Sequence, residues 1–173
     1  EGPFMEAKDL ELLQVKASEL AAKYEREYGG CSQCVLAAIK ETIGGISDDV
    51  FKAATGLSGG IGLTGNSCGA LTGGVMALSC HLGRDYAHFS DPGGERFKSF
   101  RLADKLQSKF EEEFGTSECK GIQTKVMGRS FDLRIPDEKA AFLEAGGHDD
   151  KCPSVCAKAA AYVIEILHEE NLI

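Results

Sequence analysis

Residues 10–30 have the sequence LELLQVKASELAAKYEREYGG and give the clearest indication of the fold. Apolar side chains recur there at intervals of three or four residues, which is the repeat of one face of an α-helix. Two glycines at the end of the stretch stop the helix, because glycine readily adopts the left-handed conformation found at helix C-termini. The apolar stripe consists of Leu13, Ala17, Leu20, Ala21, Tyr24 and Tyr28.

Similar signals along the chain predict a helical protein throughout. No stretch alternates polar and apolar residues as a half-buried strand does. Residues 126–135 are the only stretch in which an extended segment is not excluded. Residues 116–135 are otherwise expected to be irregular or a short helix. The prediction is an all-α, single-domain helical bundle of about six to seven helices, over residues 5–173. Beyond the first helix, we expect helices at about 32–42, 48–55, 68–82, 92–114, 136–146 and 153–167, and a glycine-rich loop at 56–66.

The composition limits the classes of function that the chain can have. A chain of 173 residues buries roughly 70% of its unfolded surface, so it needs no metal or disulfide to fold. A net charge of −8 argues against nucleic acid or an anionic membrane as a partner. No apolar run approaches the roughly 20 residues needed to insert through a membrane. Glu1–Phe4, which precede Met5, resemble an expression remnant, and the absence of an apolar leader predicts a cytoplasmic protein.

Seven cysteines are the most informative residues for function. An odd number cannot form a fully paired disulfide framework within one chain, and cytoplasmic thiols more often bind metals or take part in redox reactions. Four of them stand at predicted helix starts, where free N–H groups and a partial positive charge are expected to lower a thiol pKa and favour the thiolate. These four are Cys31, Cys68, Cys119 and Cys152, the last at the N-cap of the final helix.

The remaining cysteines have less distinctive positions. Cys34 and Cys156 lie one helical turn after Cys31 and Cys152, and the sequence leaves open whether they pack in the core or take part in chemistry. Cys80 is predicted to be a core residue, because it lies inside an apolar helix. The sequence Cys31–Cys34 is a CxxC motif without the βαβ context of thioredoxins, and the following residue is not the histidine that covalent haem attachment requires.

Glycines and one histidine complete the set of candidate site residues. Gly60 and Gly62 in the glycine-rich loop, and Gly69 in the next helix, are candidates for close backbone approach to a bound group, with N–H groups directed at sulfur. His148 precedes Cys152 by four residues, but a solvent-exposed loop histidine is the expected interpretation.

These residues resemble a known family of redox-active proteins with the pattern Cys … CGAxxG … Cys … Cys. Cys68-Gly69-Ala70-Leu71-Thr72-Gly73 matches the central element, and the flanking cysteines match in Gly30-Cys31-Ser32-Gln33, Phe114-Gly115 followed by Cys119, and Lys151-Cys152-Pro153. The resemblance covers most of residues 28–168. A related domain occurs in split-Soret cytochromes, which are dimeric electron-transfer proteins with an iron–sulfur cluster beside their haems.

The resemblance implies an iron–sulfur cluster held by Cys31, Cys68, Cys119 and Cys152, and it favours a homodimer with an unidentified redox partner protein. No CxxCH motif is present, so no haem is expected. The leading hypothesis is therefore a protein of electron transfer or redox sensing. Two alternatives remain at this point: a metal-free thiol–disulfide oxidoreductase that uses Cys31 and Cys34, and a structural zinc protein.

Overall fold

The computed structural model describes residues 5–173, and within them the all-α prediction is confirmed. This part of the chain contains eight α-helices and no β-strand. Glu1–Phe4, the predicted expression remnant, lie outside the described residues. None of the described helices has the length and apolar character needed to cross a membrane. The helices are α1 (Ala7–Glu27), α2 (Cys31–Ile43), α3 (Asp48–Ala53), α4 (Gly69–His81), α5 (Glu95–Phe114), α6 (Cys119–Met127), α7 (Pro136–Glu144) and α8 (Cys152–Glu169).

Helix α8 lies at the centre of the bundle and packs against α1, α2, α4 and α5. It is buried on several sides, and Val163, Ile164 and Leu167 near its C-terminal end have no exposed surface. The first helix lies along α8 and buries a stripe with a four-residue repeat, namely Ala17, Ala21 and Glu25. The core is therefore mainly apolar, and Glu25 brings a carboxylate into it from α1.

Helices α2 and α4 approach each other through a glycine. A Cβ atom added at Gly73 would lie 2.4 Å from the backbone oxygen of Ser32 and 2.9 Å from its Cα atom. The Ser32 hydroxyl itself is buried and donates to the carbonyl oxygen of Ala54 at 2.8 Å. Because Ser32 follows Cys31 directly, this contact sets the position of that cysteine relative to α4.

The start of α5 differs from the prediction, which placed it at about residue 92. The helix begins at Glu95, and Asp91 has a left-handed backbone with φ of 57°. Its carboxylate nevertheless accepts hydrogen bonds from the N–H groups of Glu95 at 2.8 Å and Arg96 at 3.2 Å. Asp91 thus caps the helix from further away in sequence than expected, because residues 91–94 form a turn.

The last helix also starts differently from the prediction, which placed Cys152 at its N-cap. Cys152 is the first helical residue and Lys151 is the N-cap. Lys151 is also the last residue of a π-type turn over Gly147–Lys151. Residues 126–135 contain the end of α6 and a connection without strand structure, so the open possibility of an extended strand there is wrong.

One carboxylate links α5 to the end of α8. Glu170 accepts hydrogen bonds from Arg101 at 2.6 and 2.8 Å and from Lys105 at 2.8 Å. Hydrogen bonding to Arg101, with a further contribution from Lys105, lowers the pKa of Glu170 to about 2. A lowered carboxyl pKa contributes stability above its unfolded value of 4.5, and this stability is lost as pH falls towards 2.

We expect Glu170→Gln to reduce the free energy of unfolding by about 1 kcal/mol at pH 7, since half-exposed Arg101 leaves the interaction partly screened by solvent. The difference from the native chain should shrink as pH falls from 4.5 towards 2, because the carboxyl is protonated first in the unfolded chain and then in the folded one. Urea unfolding at pH 7 and at about pH 3 measures both effects. Glu144→Gln, at an exposed position on α7, is the control. Equal losses for the two variants at pH 7 would contradict the prediction.

Candidate functional site

Four cysteines from four different helix starts line one cavity. Cys31, Cys68, Cys119 and Cys152 all contribute to its wall, at the N-terminal ends of α2, α4, α6 and α8. The cavity has a volume of about 100 Å³, and a site of that size accommodates more than a single water molecule. The fold therefore brings together thiols that are far apart in sequence.

Backbone hydrogen bonds join the segments that carry Cys68 and Cys119. The N–H of Cys68 donates to the carbonyl oxygen of Ser117 at 2.9 Å, and the N–H of Cys119 donates to the backbone carbonyl oxygen of Asn66 at 2.5 Å. The glycine-rich loop supports this arrangement at Gly60, which has φ of 72° and would place a Cβ 2.5 Å from the nitrogen of Asn66. Only glycine fits there without displacing the backbone.

Glycine also makes room for the thiol of Cys31. A Cβ at Gly69 would lie 2.4 Å from the Cys31 sulfur, so Gly69 allows α4 to pack directly against that side chain. The N–H of Gly59 is directed at the Cys31 thiol. Gly59 also lines the cavity, whereas the predicted site glycines Gly60, Gly62 and Gly69 do not.

Backbone N–H groups at the start of α4 face the thiol of Cys68. They belong to Ala70 and Leu71, and their interaction opposes the rise in the pKa of this thiol. Cys68 is the N-cap residue of α4, so these are the free donors of the first helical turn. N–H groups directed at sulfur stabilise negative charge on it.

Burial determines the protonation of the cavity thiols. It raises the pKa of Cys31, Cys68 and Cys119 to about 12, and it raises that of Cys152 well above the ordinary value. The neighbouring thiols add to the rise, as Cys68 does for Cys31. The prediction that helix N-termini lower these pKa values is therefore wrong, because desolvation in the cavity outweighs the N–H groups.

The site also contains a buried carboxylate that the sequence interpretation missed. Glu25 lines the cavity and is only 3% exposed. Its Oε1 atom lies 3.4 Å from Nδ1 of His148, and its Oε2 atom accepts a hydrogen bond from the Cys156 sulfur at 3.8 Å. Burial raises the pKa of the Glu25 carboxyl, and His148 opposes that rise. The sequence did contain one indication that Glu25 is buried. It follows Ala17 and Ala21 at the same four-residue spacing, on the buried face of α1.

His148 was predicted to be a solvent-exposed loop residue, and the structure shows otherwise. Its side chain is about one-third exposed and lines the cavity. Its Nδ1 atom is also 3.2 Å from the backbone oxygen of Glu25, and its ring packs edge-on against Phe142 at 5.3 Å between centroids. His148 thus holds the Glu25 backbone and side chain from the turn before α8.

The three cysteines outside the predicted ligand set have different environments. Cys156 is buried and lines the cavity. Cys34 is also buried, but it faces a separate surface groove and donates to the carbonyl oxygen of Gly29 at 3.2 Å. Cys80 is exposed on α4, so its prediction as a core residue is wrong.

The chemistry of the donor set fits a soft metal centre. Thiolates select zinc and iron–sulfur clusters over hard cations, and the N–H groups facing Cys31 and Cys68 suit charged sulfur. As they are arranged here, no group of three or more His, Cys, Asp or Glu side chains within residues 5–173 could hold a metal ion. Binding of a metal ion or cluster would thus require the thiols to lose their protons and move closer together.

Comparison with known families identifies the chain. A family model described as "Putative redox-active protein (C_GCAxxG_C_C)" matches residues 29–166, a range that includes all seven cysteines. The chain belongs to this family. The pattern in this description is GCAxxG, so the order CGAxxG expected for the family was wrong. Cys68 and Gly69 stand in the reverse order to the family pattern, whereas Ala70 and Gly73 match it. Neither the curated proteins nor the solved structures contain a match.

Proposed function

We propose that this family member is an electron-transfer or redox-sensing protein that holds an iron–sulfur cluster. The proposed ligands are the four cysteines at helix starts, and the observation that carries the proposal is their convergence on one cavity. Such a cluster supplies one-electron redox chemistry, with a potential that depends on hydrogen bonds to sulfur and on solvent exposure. The ligands would be Cys31, Cys68, Cys119 and Cys152.

The chain's own residues have two tasks in this proposal. The N–H groups of Gly59, Ala70 and Leu71 stabilise negative charge on Cys31 and Cys68. Apolar side chains exclude water from part of the wall, which strengthens these electrostatic interactions. The apolar lining includes Leu63, Ile122, Val126, Leu133 and Val155.

Two other functions compete with this proposal. The same four thiols suit zinc, which would make the site structural. The other is a thiol–disulfide oxidoreductase based on Cys31 and Cys34. Cys31 lines the cavity, whereas Cys34 lines the separate surface groove. The homodimer, the cytoplasmic location and the redox partner protein remain predictions.

Anaerobic purification followed by metal and sulfide analysis tests the proposal. We expect iron and acid-labile sulfide in stoichiometric amounts per chain, with visible thiolate-to-iron absorption that bleaches on reduction. Zinc without sulfide would replace the proposal by a structural site. A colourless protein without metal, with thiols that cycle reversibly between reduced and oxidised states, would replace it by metal-free thiol chemistry.

A further inference from the structure

A second space opens on the surface, apart from the cavity. It is a groove of about 460 Å³, within the size range of small-molecule sites. Its walls come from the end of α1, from α2 and from α3, and α2 packs against both of the other helices. Among residues 5–173, the groove and the cavity share no lining residue. A ligand in the groove would therefore occupy a site separate from the four proposed cluster ligands.

Aromatic rings form much of the groove. The rings of Tyr24 and Tyr28 stack with their centroids 6.0 Å apart and an angle of 29° between their planes. Phe51 adds a third aromatic side chain from α3. Tyr28 leaves 78% of its surface exposed, so the stacked pair presents ring surface in the groove instead of burying it in the core. The faces of such rings carry partial negative charge and attract cations.

The charge of the groove also favours a cation. Glu41 lines it, and one oxygen of its carboxylate accepts a hydrogen bond from the Tyr24 hydroxyl. Lys16 donates to the backbone oxygen of Glu41 at 3.2 Å instead of its carboxylate. Hydrogen bonding to Glu41, followed by burial and nearby negative groups, raises the pKa of Tyr24 to about 12. The Tyr24 hydroxyl therefore stays protonated at neutral pH, and the only full charge it faces there is that of the carboxylate.

The supply of hydrogen-bond acceptors in the groove distinguishes between kinds of cation. A primary ammonium carries three N–H donors, and each needs an acceptor when the group leaves water. Glu41 is the only charged side chain among the lining residues, and one of its oxygens already accepts from Tyr24. The Gln33 amide donates to the oxygens of Phe51 at 3.1 Å and Thr55 at 2.9 Å, so it ties α2 to α3. A quaternary ammonium has no N–H donor and needs only aromatic faces and a counter-charge.

We propose that the groove binds a small quaternary ammonium compound, with its cationic head against the rings of Tyr24 and Tyr28 and with Glu41 as the counter-charge. The head would lie within about 6 Å of the ring centroids, which is the range of the attraction. Cys34 and Ala37 of α2 are the small side chains in the lining, and they leave depth for the methyl groups of the head. This binding site is additional to the proposed cluster and does not depend on it.

Isothermal titration calorimetry of the full chain with three small alcohols tests this proposal. Choline carries a quaternary ammonium, 3,3-dimethylbutan-1-ol is its neutral isostere, and ethanolamine is its primary-amine analogue. We expect choline to bind about tenfold more tightly than either of the other two. The neutral isostere matches the shape of choline, so this comparison isolates the charge, and ethanolamine isolates the effect of the N–H donors.

Two substitutions locate the binding site. Tyr28→Ala removes a largely exposed ring and should weaken choline binding about fivefold. Its control is Tyr86→Ala, because Tyr86 is 93% exposed and lies outside the groove. Glu41→Gln keeps an oxygen that accepts from Tyr24 but removes the charge, and it should weaken choline binding about threefold. Glu144→Gln, at an exposed position on α7, is its control. Circular dichroism checks that each variant keeps its helices.

Four results would each overturn the proposal. Equal affinities for choline and its neutral isostere would show a groove without preference for charge, and tighter binding of ethanolamine would show a site for primary amines. Equal affinities of Tyr28→Ala and Tyr86→Ala would place the bound choline elsewhere. The fourth is the absence of binding at about 50 mM choline. The iron content of the same samples bears only on the cluster, because the cavity and the groove have separate linings.

Discussion

Cys68→Ser is expected to remove iron and sulfide from the protein while leaving its fold intact. Cys68 is the N-cap of α4, and serine is among the best N-cap residues, so the substitution keeps or improves the helix start. It replaces the soft sulfur with a hydroxyl, which is a poor ligand for iron. Loss of a residue that merely orients a metal ligand costs 10- to 100-fold in affinity, so we expect loss of a ligand to cost at least about 100-fold.

Cys80→Ser is the matched control, because it makes the same chemical change on the same helix. Cys80 is exposed and remote from the cavity lining, so this variant should keep native amounts of iron and sulfide. Both variants are purified anaerobically, and their iron, sulfide and helical circular dichroism are compared with those of the native chain. Native iron content in Cys68→Ser with unchanged helicity would show that Cys68 is not a ligand.

The helices could be predicted because their signals are local. The stripe that ends at Gly29 specified α1, and Gly115, which has φ of 75°, ends α5 as expected. Helix starts were less certain where side chains cap from a distance, as Asp91 does for α5. A single carboxylate can cap from the N-cap position or from a preceding turn, and the sequence alone does not distinguish the two.

The four cysteines at the cavity could be singled out for the same local reason, since each lies where a helix begins. Their pKa values could not be predicted, because the helix start is visible in the sequence while burial depends on packing from other elements. Glu25 was missed because charged residues are almost never fully buried without a partner, and its partner His148 is distant in sequence.

Cys80 shows a different limit of sequence patterns. Helix α4 is apolar on nearly all sides, with small residues such as Gly73, Gly74 and Ala77 facing its neighbours. A periodicity argument needs a polar face to define the outward direction, and α4 lacks one. The exposed position of Cys80 near the C-terminal end of this helix therefore followed only from the structure.

Gly73→Ala is expected to destabilise the protein by about 2 kcal/mol. The added methyl group would meet the backbone of Ser32 at 2.4 Å from its oxygen, and a backbone segment inside a packed helix cannot move away alone. Alanine is favoured over glycine inside a helix by about 1 kcal/mol. A net loss of stability would therefore mean that the clash costs more than this gain. Because Ser32 adjoins Cys31, any relief by movement of α2 would also displace a proposed ligand.

Gly56→Ala provides the control for this substitution. Nothing lies within 4 Å of a Cβ at that position, and its backbone is outside the left-handed region, so its stability should change by less than about 0.5 kcal/mol. Urea unfolding followed by circular dichroism measures both variants. If Gly73→Ala were as stable as Gly56→Ala, the contact between α2 and α4 would be looser than the structure has it. The starts of α2 and α4 would then not be held together by this glycine, and their contact would depend on Gly69 and Cys31 instead.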